Sequence, residues 1–196
     1  MTNIALDYHD FSEIRAEEWF EGLIMKMSPQ GITHGRVVRP LEDILDRYFA
    51  NSSCELYSDV YVYFTKKTRL APDFAVVCDP GIIKGESIHG VPNLVVEVLS
   101  PSTFKKDKNK KKATYEKFGV PEYWIVDSRN FSIEVHLLKD GKLELDDIFI
   151  LASKEALDNM TAEEMGNINH ILKSKQFGGL IVDLYKVFQN VLPEDY

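Results

Sequence analysis

One six-residue segment, Leu94-Val-Val-Glu-Val-Leu99, constrains this chain more than any other. Its length and β-branched content read as a strand, with a Gly- and Pro-rich loop over residues 79–92 before it. A carboxylate amid five aliphatic residues is costly to bury unless a cation or a strong hydrogen bond meets it, so something must neutralise Glu97. Strand alternation puts Glu97 on one face with Val95 and Leu99, and turns Val96 and Val98 to the other. A second acid, Asp73, stands in another strand-like run, Leu70-Ala-Pro-Asp-Phe-Ala-Val-Val77. Two such acids followed by a lysine-rich helix point to metal-dependent phosphodiester hydrolysis.

The helix after Glu97 offers a candidate cation. At about 100° per residue, Lys111, Thr114, Tyr115 and Phe118 share a face with Asp107, while Lys108, Lys110, Lys112 and Lys117 point away. Lys111 therefore either snorkels past Tyr115 or meets buried acids. Position 99 is Leu, so the Glu97 strand carries no lysine two residues on, and Lys111 is the candidate that geometry leaves. Ser100-Pro-Ser-Thr103 offers hydroxyl caps, which would set the positive end of this helix near the carboxylates, a favourable place for phosphate.

The rest of the chain alternates helix and strand. A short helix is expected over Ser12 to Phe20, then a strand near Leu23 to Met27 and a turn at Ser28-Pro-Gln-Gly31. Val37, Val38, Leu41, Ile44, Leu45, Tyr48 and Phe49 form a helical apolar stripe in which Pro40 implies a kink or a late start. Strands are expected over Glu55 to Phe64 and Leu70 to Val77, joined by Thr65-Lys-Lys-Thr68, then over Glu122 to Asp127 and Phe131 to Leu138. Leu143 to Leu151 reads as a further strand, and Thr161-Ala-Glu-Glu164 as a capping box. This is an α/β order, with a helix crossing between strands and no internal repeat.

Composition excludes several classes. At 196 residues, with 44% hydrophobic and 28% charged, the chain suits one folded domain. No apolar run approaches the roughly 20 residues of a membrane helix, and Met-Thr-Asn-Ile-Ala-Leu-Asp lacks signal-peptide regions, so a cytoplasmic protein is expected. Cys54 and Cys78 are far apart in sequence, which argues against a disulfide framework or a cysteine zinc site. The five histidines form no metal-ligand pair at helical spacing. The net charge of -8 disfavours a protein that coats nucleic acid over its whole surface. Yet Lys105 to Lys112 holds six lysines and one aspartate, a basic patch suited to directed contact with a polyanion. A plain solvated helix is the competing reading of that run. The tyrosines of Tyr57-Ser-Asp-Val-Tyr-Val-Tyr63 read as cross-strand packing, Asp59 among them as a solvent-facing strand residue ahead of the alternative of a further ligand, and Tyr123 and Trp124 as core.

Four segments together carry a family likeness: Pro72-Asp73; Leu94-Val-Val-Glu-Val-Leu-Ser-Pro-Ser-Thr103; Asp107, Lys111 and Tyr115 at four-residue intervals; and Gly119-Val-Pro-Glu-Tyr-Trp-Ile-Val-Asp127. Glu18 four residues before Gly22, Met27-Ser-Pro29, and His34 opening the long helix also fit. The chain resembles the PD-(D/E)XK nuclease superfamily and, within it, the putative restriction endonuclease domain family of the Uma2 type. The resemblance implies a restriction-endonuclease-like core with a mixed central sheet flanked by helices. It implies one domain over residues 1–196, with a core at about 10–145, an insertion at 153–175 and a return to the core at 177–188. It also implies that Asp73 and Glu97 hold Mg²⁺, or Mn²⁺ in its place, and that Lys111 is the lysine moved from strand to helix. Glu18 and His34 are further candidates for the site. The expected activity is endonucleolytic cleavage of nucleic acid, DNA above RNA, leaving 5′-phosphate, by a homodimer. A catalytically inactive DNA- or protein-binding module on the same fold is the alternative.

Overall fold

Trp19 and Phe20 pair across a two-residue turn with Ile24 and Leu23, forming the hairpin β1 (Glu17–Phe20) and β2 (Leu23–Lys26). The expected helix over Ser12 to Phe20 is thus strand from Glu17 onward. The cause lies in the turn, where Glu21 and Gly22 both take positive φ, 54° and 91°, the twist that a two-residue hairpin loop needs. The structure, a computed structural model, describes residues 17–27, 29–100 and 106–193. Residues 12–16 of that expected helix, Ser28 of the expected turn and the hydroxyl caps at 102–103 lie outside the described residues.

Helix α1 (Ile32–Phe49) runs through Pro40 and starts eight residues before it, so the late start does not occur. Two expected strands are each divided. Glu55 to Phe64 splits into β3 (Glu55–Ser58) and β4 (Tyr61–Thr65) at Asp59, whose φ of 53° breaks the extended backbone. Leu70 to Val77 splits into β5 (Thr68–Leu70) and β6 (Phe74–Val77) around Ala71-Pro72, because proline cannot donate to a strand ladder. The Gly- and Pro-rich loop contains a 3₁₀ turn and the short strands β7 (Ile83–Lys84) and β8 (Ser87–His89). Then follow β9 (Leu94–Val98), a π-helical turn over Lys106–Lys111 and α2 (Lys112–Phe118). Strands β10 (Glu122–Asp127), β11 (Ser132–Lys139) and β12 (Lys142–Ile150) match expectation within a residue or two. Short helices α3 (Lys154–Asp158) and α4 (Ala162–Gly166) precede β13 (Ile171–Lys173), β14 (Ile181–Asp183) and α5 (Leu184–Phe188). The capping box forms at Thr161 and Glu164, but its helix ends at Gly166, short of Ile171.

The central sheet has the order β12-β11-β10-β9-β6-β3, and it is mixed: β9 and β10 run parallel with α2 crossing between them, while the other neighbours are antiparallel. A second sheet, β2-β1-β5-β4-β8-β7, receives the chain where β3 hands over to β4 and returns it to the central sheet where β5 hands over to β6. All five residues of β9 are buried, as expected of a strand covered on both faces. On one face Val96, Val98, Trp124 and Val126 pack under Val37, Leu41, Leu45 and Phe49 of α1. Phe177, Leu180, Val182, Leu184, Val187 and Phe188 join that cluster. On the other face Val95, Leu99, Tyr123 and Ile125 meet Tyr115 of α2 and Leu70 of the second sheet.

One expectation about cysteine fails. Glu55 pairs with Val77 in the β3–β6 register, so the next positions outward, Cys54 and Cys78, face each other and are joined in a disulfide 24 residues apart. Sequence distance misled because an antiparallel pairing erases it. Closing a loop of that size contributes roughly 3 kcal/mol through the unfolded chain. Adding dithiothreitol should lower the urea midpoint of the wild type and leave that of Cys54→Ser/Cys78→Ser unchanged.

Glu122 opens β10 fully buried and accepts a hydrogen bond from Trp124 Nε1 at 2.6 Å. Burial pushes its carboxyl up to about 6. An acid raised above its unfolded value keeps its proton longer in the folded state, so stability falls as pH rises from about 4.5 to about 6. The expected loss is about 2 kcal/mol. Urea midpoints between pH 4 and 7 should show that slope in the wild type and a flatter one in Glu122→Gln.

Candidate active site

The buried acid of β9 is met by lysine. Lys111 closes the π-helical turn, and its Nζ lies 2.8 Å from each Glu97 carboxylate oxygen. The same ammonium reaches Glu18 Oε1 at 2.9 Å, from the inner face of β1. Glu18, Glu97 and Lys111 are 0%, 2% and 3% exposed, so these charges interact with little solvent screening. One turn beyond Lys111, the Tyr115 hydroxyl donates to Glu97 Oε1 at 2.6 Å. Burial, and then the Glu97 carboxylate, push the Tyr115 phenol well above its ordinary range, which keeps it a protonated donor. Ala71 N–H donates to Glu18 Oε1 at 3.2 Å, tying the acid to the link between β5 and β6.

Asp73 ends that link. Phe74 pairs with Val96 in the antiparallel β6–β9 register, so Asp73, one residue earlier, lies beside the Glu97–Val98 end of β9. Three donors hold the Asp73 carboxylate. Val98 N–H donates to Oδ2 at 2.7 Å, Gln30 Nε2 to Oδ1 at 2.9 Å, and His34 Nε2 lies 3.2 Å from both oxygens. His34 sits in the first turn of α1, nearly fully buried, and its Nδ1 has no hydrogen-bond partner among the described residues. Burial lowers its pKa, but the hydrogen bond to Asp73 and the charges of Asp73 and Asp59 together outweigh it and leave the imidazole above its usual value. Asp59 faces solvent as expected but sits at the β3–β4 corner and not within a strand, with its N–H donating to Asp73 O at 3.3 Å. Loss of solvent, and then Asp73, push the Asp59 carboxyl up.

The fold thus brings Asp73, Glu97, Lys111, Glu18 and His34 around one end of β9, where the two sheets exchange strands. Sequence reasoning missed Gln30. Its only signal was its place four residues before His34. The tyrosines divide as packing residues: the Arg69 guanidinium lies 4.2 Å from the Trp19 ring and 4.1 Å from the Tyr61 ring, and Tyr63 stacks on His89.

Residues 5–165 match the model of the Uma2 family, described as putative restriction endonuclease. The chain belongs to this family. A crystal structure of a putative nuclease belonging to DUF820 from Anabaena variabilis ATCC 29413 superposes with a TM-score of 0.68, covering 91% of this chain and 92% of that one. Their identity is 18%, so the likeness is one of fold. An uncharacterized protein of Synechocystis sp., slr1290, is 27% identical over 165 residues, 82% of this chain and 84% of its own. The Uma2 chain therefore has the expected α/β, restriction-endonuclease-like core, a mixed central sheet flanked by helices.

Among the described residues of this Uma2 protein, no three His, Cys, Asp or Glu side chains converge as a ready cage for a metal ion. The carboxylates of Asp73 and Glu97, both at this end of β9, are hard oxygen donors that would suit a cation taking one or two protein oxygens and keeping its remaining positions for water and phosphate, the habit of Mg²⁺. They do not fit structural zinc, which needs four N or S ligands. Among the described residues, no helix is long and apolar enough to cross a membrane.

Proposed function

We propose that this Uma2 protein is a divalent-cation-dependent endonuclease that hydrolyses phosphodiester bonds of nucleic acid, DNA first among the substrates. The observation that carries the reading is the Lys111 ammonium, buried between Glu97 and Glu18 at the end of β9 where Val98 N–H donates to Asp73. Asp73 and Glu97 would hold Mg²⁺, with Mn²⁺ as a substitute. The bound ion would neutralise charge on the scissile phosphate and lower the pKa of a bound water. Lys111 orients the attacking water and stabilises the charge that develops on phosphate, as a preorganised donor in a dry site. Tyr115 and Glu18 fix Lys111 and Glu97 in register, one by a hydrogen bond to Glu97 and the other by sharing the ammonium. His34 holds the Asp73 carboxylate. Cleavage leaves a 5′-phosphate on one product and a 3′-hydroxyl on the other.

The same reading takes residues 1–196 as one domain with an insertion at 153–175. Burial of Phe177 to Phe188 in the α1 cluster supports the return of the tail to the core. A homodimer would place two sites on two strands, which sedimentation can test. A cytoplasmic location is part of the proposal, and the Cys54–Cys78 disulfide weighs against it, since cytosolic thiols are normally kept reduced. Fractionation of the native cell tests it.

One observation favours the inactive binding module: every Asp73 and Glu97 carboxylate oxygen already accepts a hydrogen bond from the protein. Turnover separates the two readings. Supercoiled plasmid, single-stranded DNA and RNA should be incubated with Mg²⁺ or Mn²⁺ and the product ends analysed. The nuclease reading expects 5′-phosphate ends from at least one substrate, and binding without cleavage would support the module.

A further inference from the structure

We propose that Gln30 sets how tightly the site takes its cation, by occupying the solvent side of Asp73 until the ion displaces it. The inference rests on Asp73 being a cation ligand. Of the three donors on this carboxylate, Val98 N–H belongs to a fully buried strand and His34 is buried, whereas Gln30 is exposed. Approach to Asp73 from water therefore passes through Gln30. Its amide nitrogen lies 2.9 Å from Asp73 Oδ1 and 3.5 Å from Asp59 Oδ1. The orientation of the amide follows from these partners, since the reverse would set its oxygen against two acceptors. An NH₂ group held between two carboxylate oxygens stands where positive charge is favoured. Val98 and His34 already hold the carboxylate from inside, so the Gln30 bond orients nothing further and competes with the ion for Oδ1.

Calorimetric titration of the full chain with Mn²⁺ tests this, comparing wild type, Gln30→Ala, Gln30→Leu and Asp73→Asn, each checked for folding by circular dichroism. Both Gln30 variants should bind Mn²⁺ roughly tenfold more tightly, the worth of one amide-to-carboxylate hydrogen bond. Unchanged or weaker binding in both would overturn the proposal and make Gln30 inert or an orienting donor. Asp73→Asn separates this from the underlying reading: loss of Mn²⁺ binding there supports Asp73 as ligand. Undiminished binding there, or no binding by the wild type, removes the site reading and the Gln30 proposal with it.

Discussion

Lys111→Met is expected to destabilise the fold by roughly 3–5 kcal/mol, the usual cost of removing one partner from a buried ion pair. The side chain is nearly isosteric, so packing against Tyr115 changes little. What is lost is the ammonium in contact with Glu97 at 2.8 Å and Glu18 at 2.9 Å, two carboxylates with almost no solvent access. Deprived of it, these acids favour their protonated forms, and their folded-state pKa values rise above the unfolded ones. An acid raised in this way costs stability as pH rises, so the deficit should be largest at neutral pH and shrink toward pH 4. Urea unfolding of wild type and variant from pH 4 to 8 gives the comparison. Adding Glu97→Gln to Lys111→Met should restore part of the loss. A deficit below about 1 kcal/mol that does not vary with pH would show that the cluster is solvated and its charges screened.

Asp73→Asn should abolish nicking of DNA, by well over a hundredfold, while leaving a folded protein. Changes outside the ligand shell already cost 10–100-fold in metal sites, and the ligand itself costs more. The variant keeps its volume and one carbonyl acceptor, but it loses the charge proposed to hold the cation and one acceptor for Val98 N–H or Gln30. The stability cost should be about 1–3 kcal/mol, that of one unsatisfied buried group. Initial nicking rates at saturating Mg²⁺, normalised to the folded fraction, are the readout. Rates within tenfold of the wild type would take Asp73 out of the site.

Legibility in the sequence differs from residue to residue. Glu97 announced itself because a carboxylate among five aliphatic residues has few physical excuses, and the helical period placed Lys111 inward, where it lies. Asp73 was visible only as Pro-Asp, and its place beside the end of β9 depends on the β6–β9 register. Short-range signals failed where tertiary pairing decided the outcome. Trp19 became strand through the Glu21-Gly22 turn, and Cys54 met Cys78 through the β3–β6 register. Asp59 left its expected strand because the chain crosses between sheets there, with φ at 53°. Gln30 was illegible because its contacts are hydrogen bonds across 29 and 43 positions.

Mg²⁺-dependent nicking of supercoiled plasmid by wild type and Glu97→Gln, purified in parallel and confirmed folded, decides whether this site cleaves nucleic acid. The wild type should nick and should stop when the cation is chelated, and the variant should show no activity. Nicking that persists in Glu97→Gln, or a wild type inert on DNA and RNA with either cation, would contradict the nuclease reading.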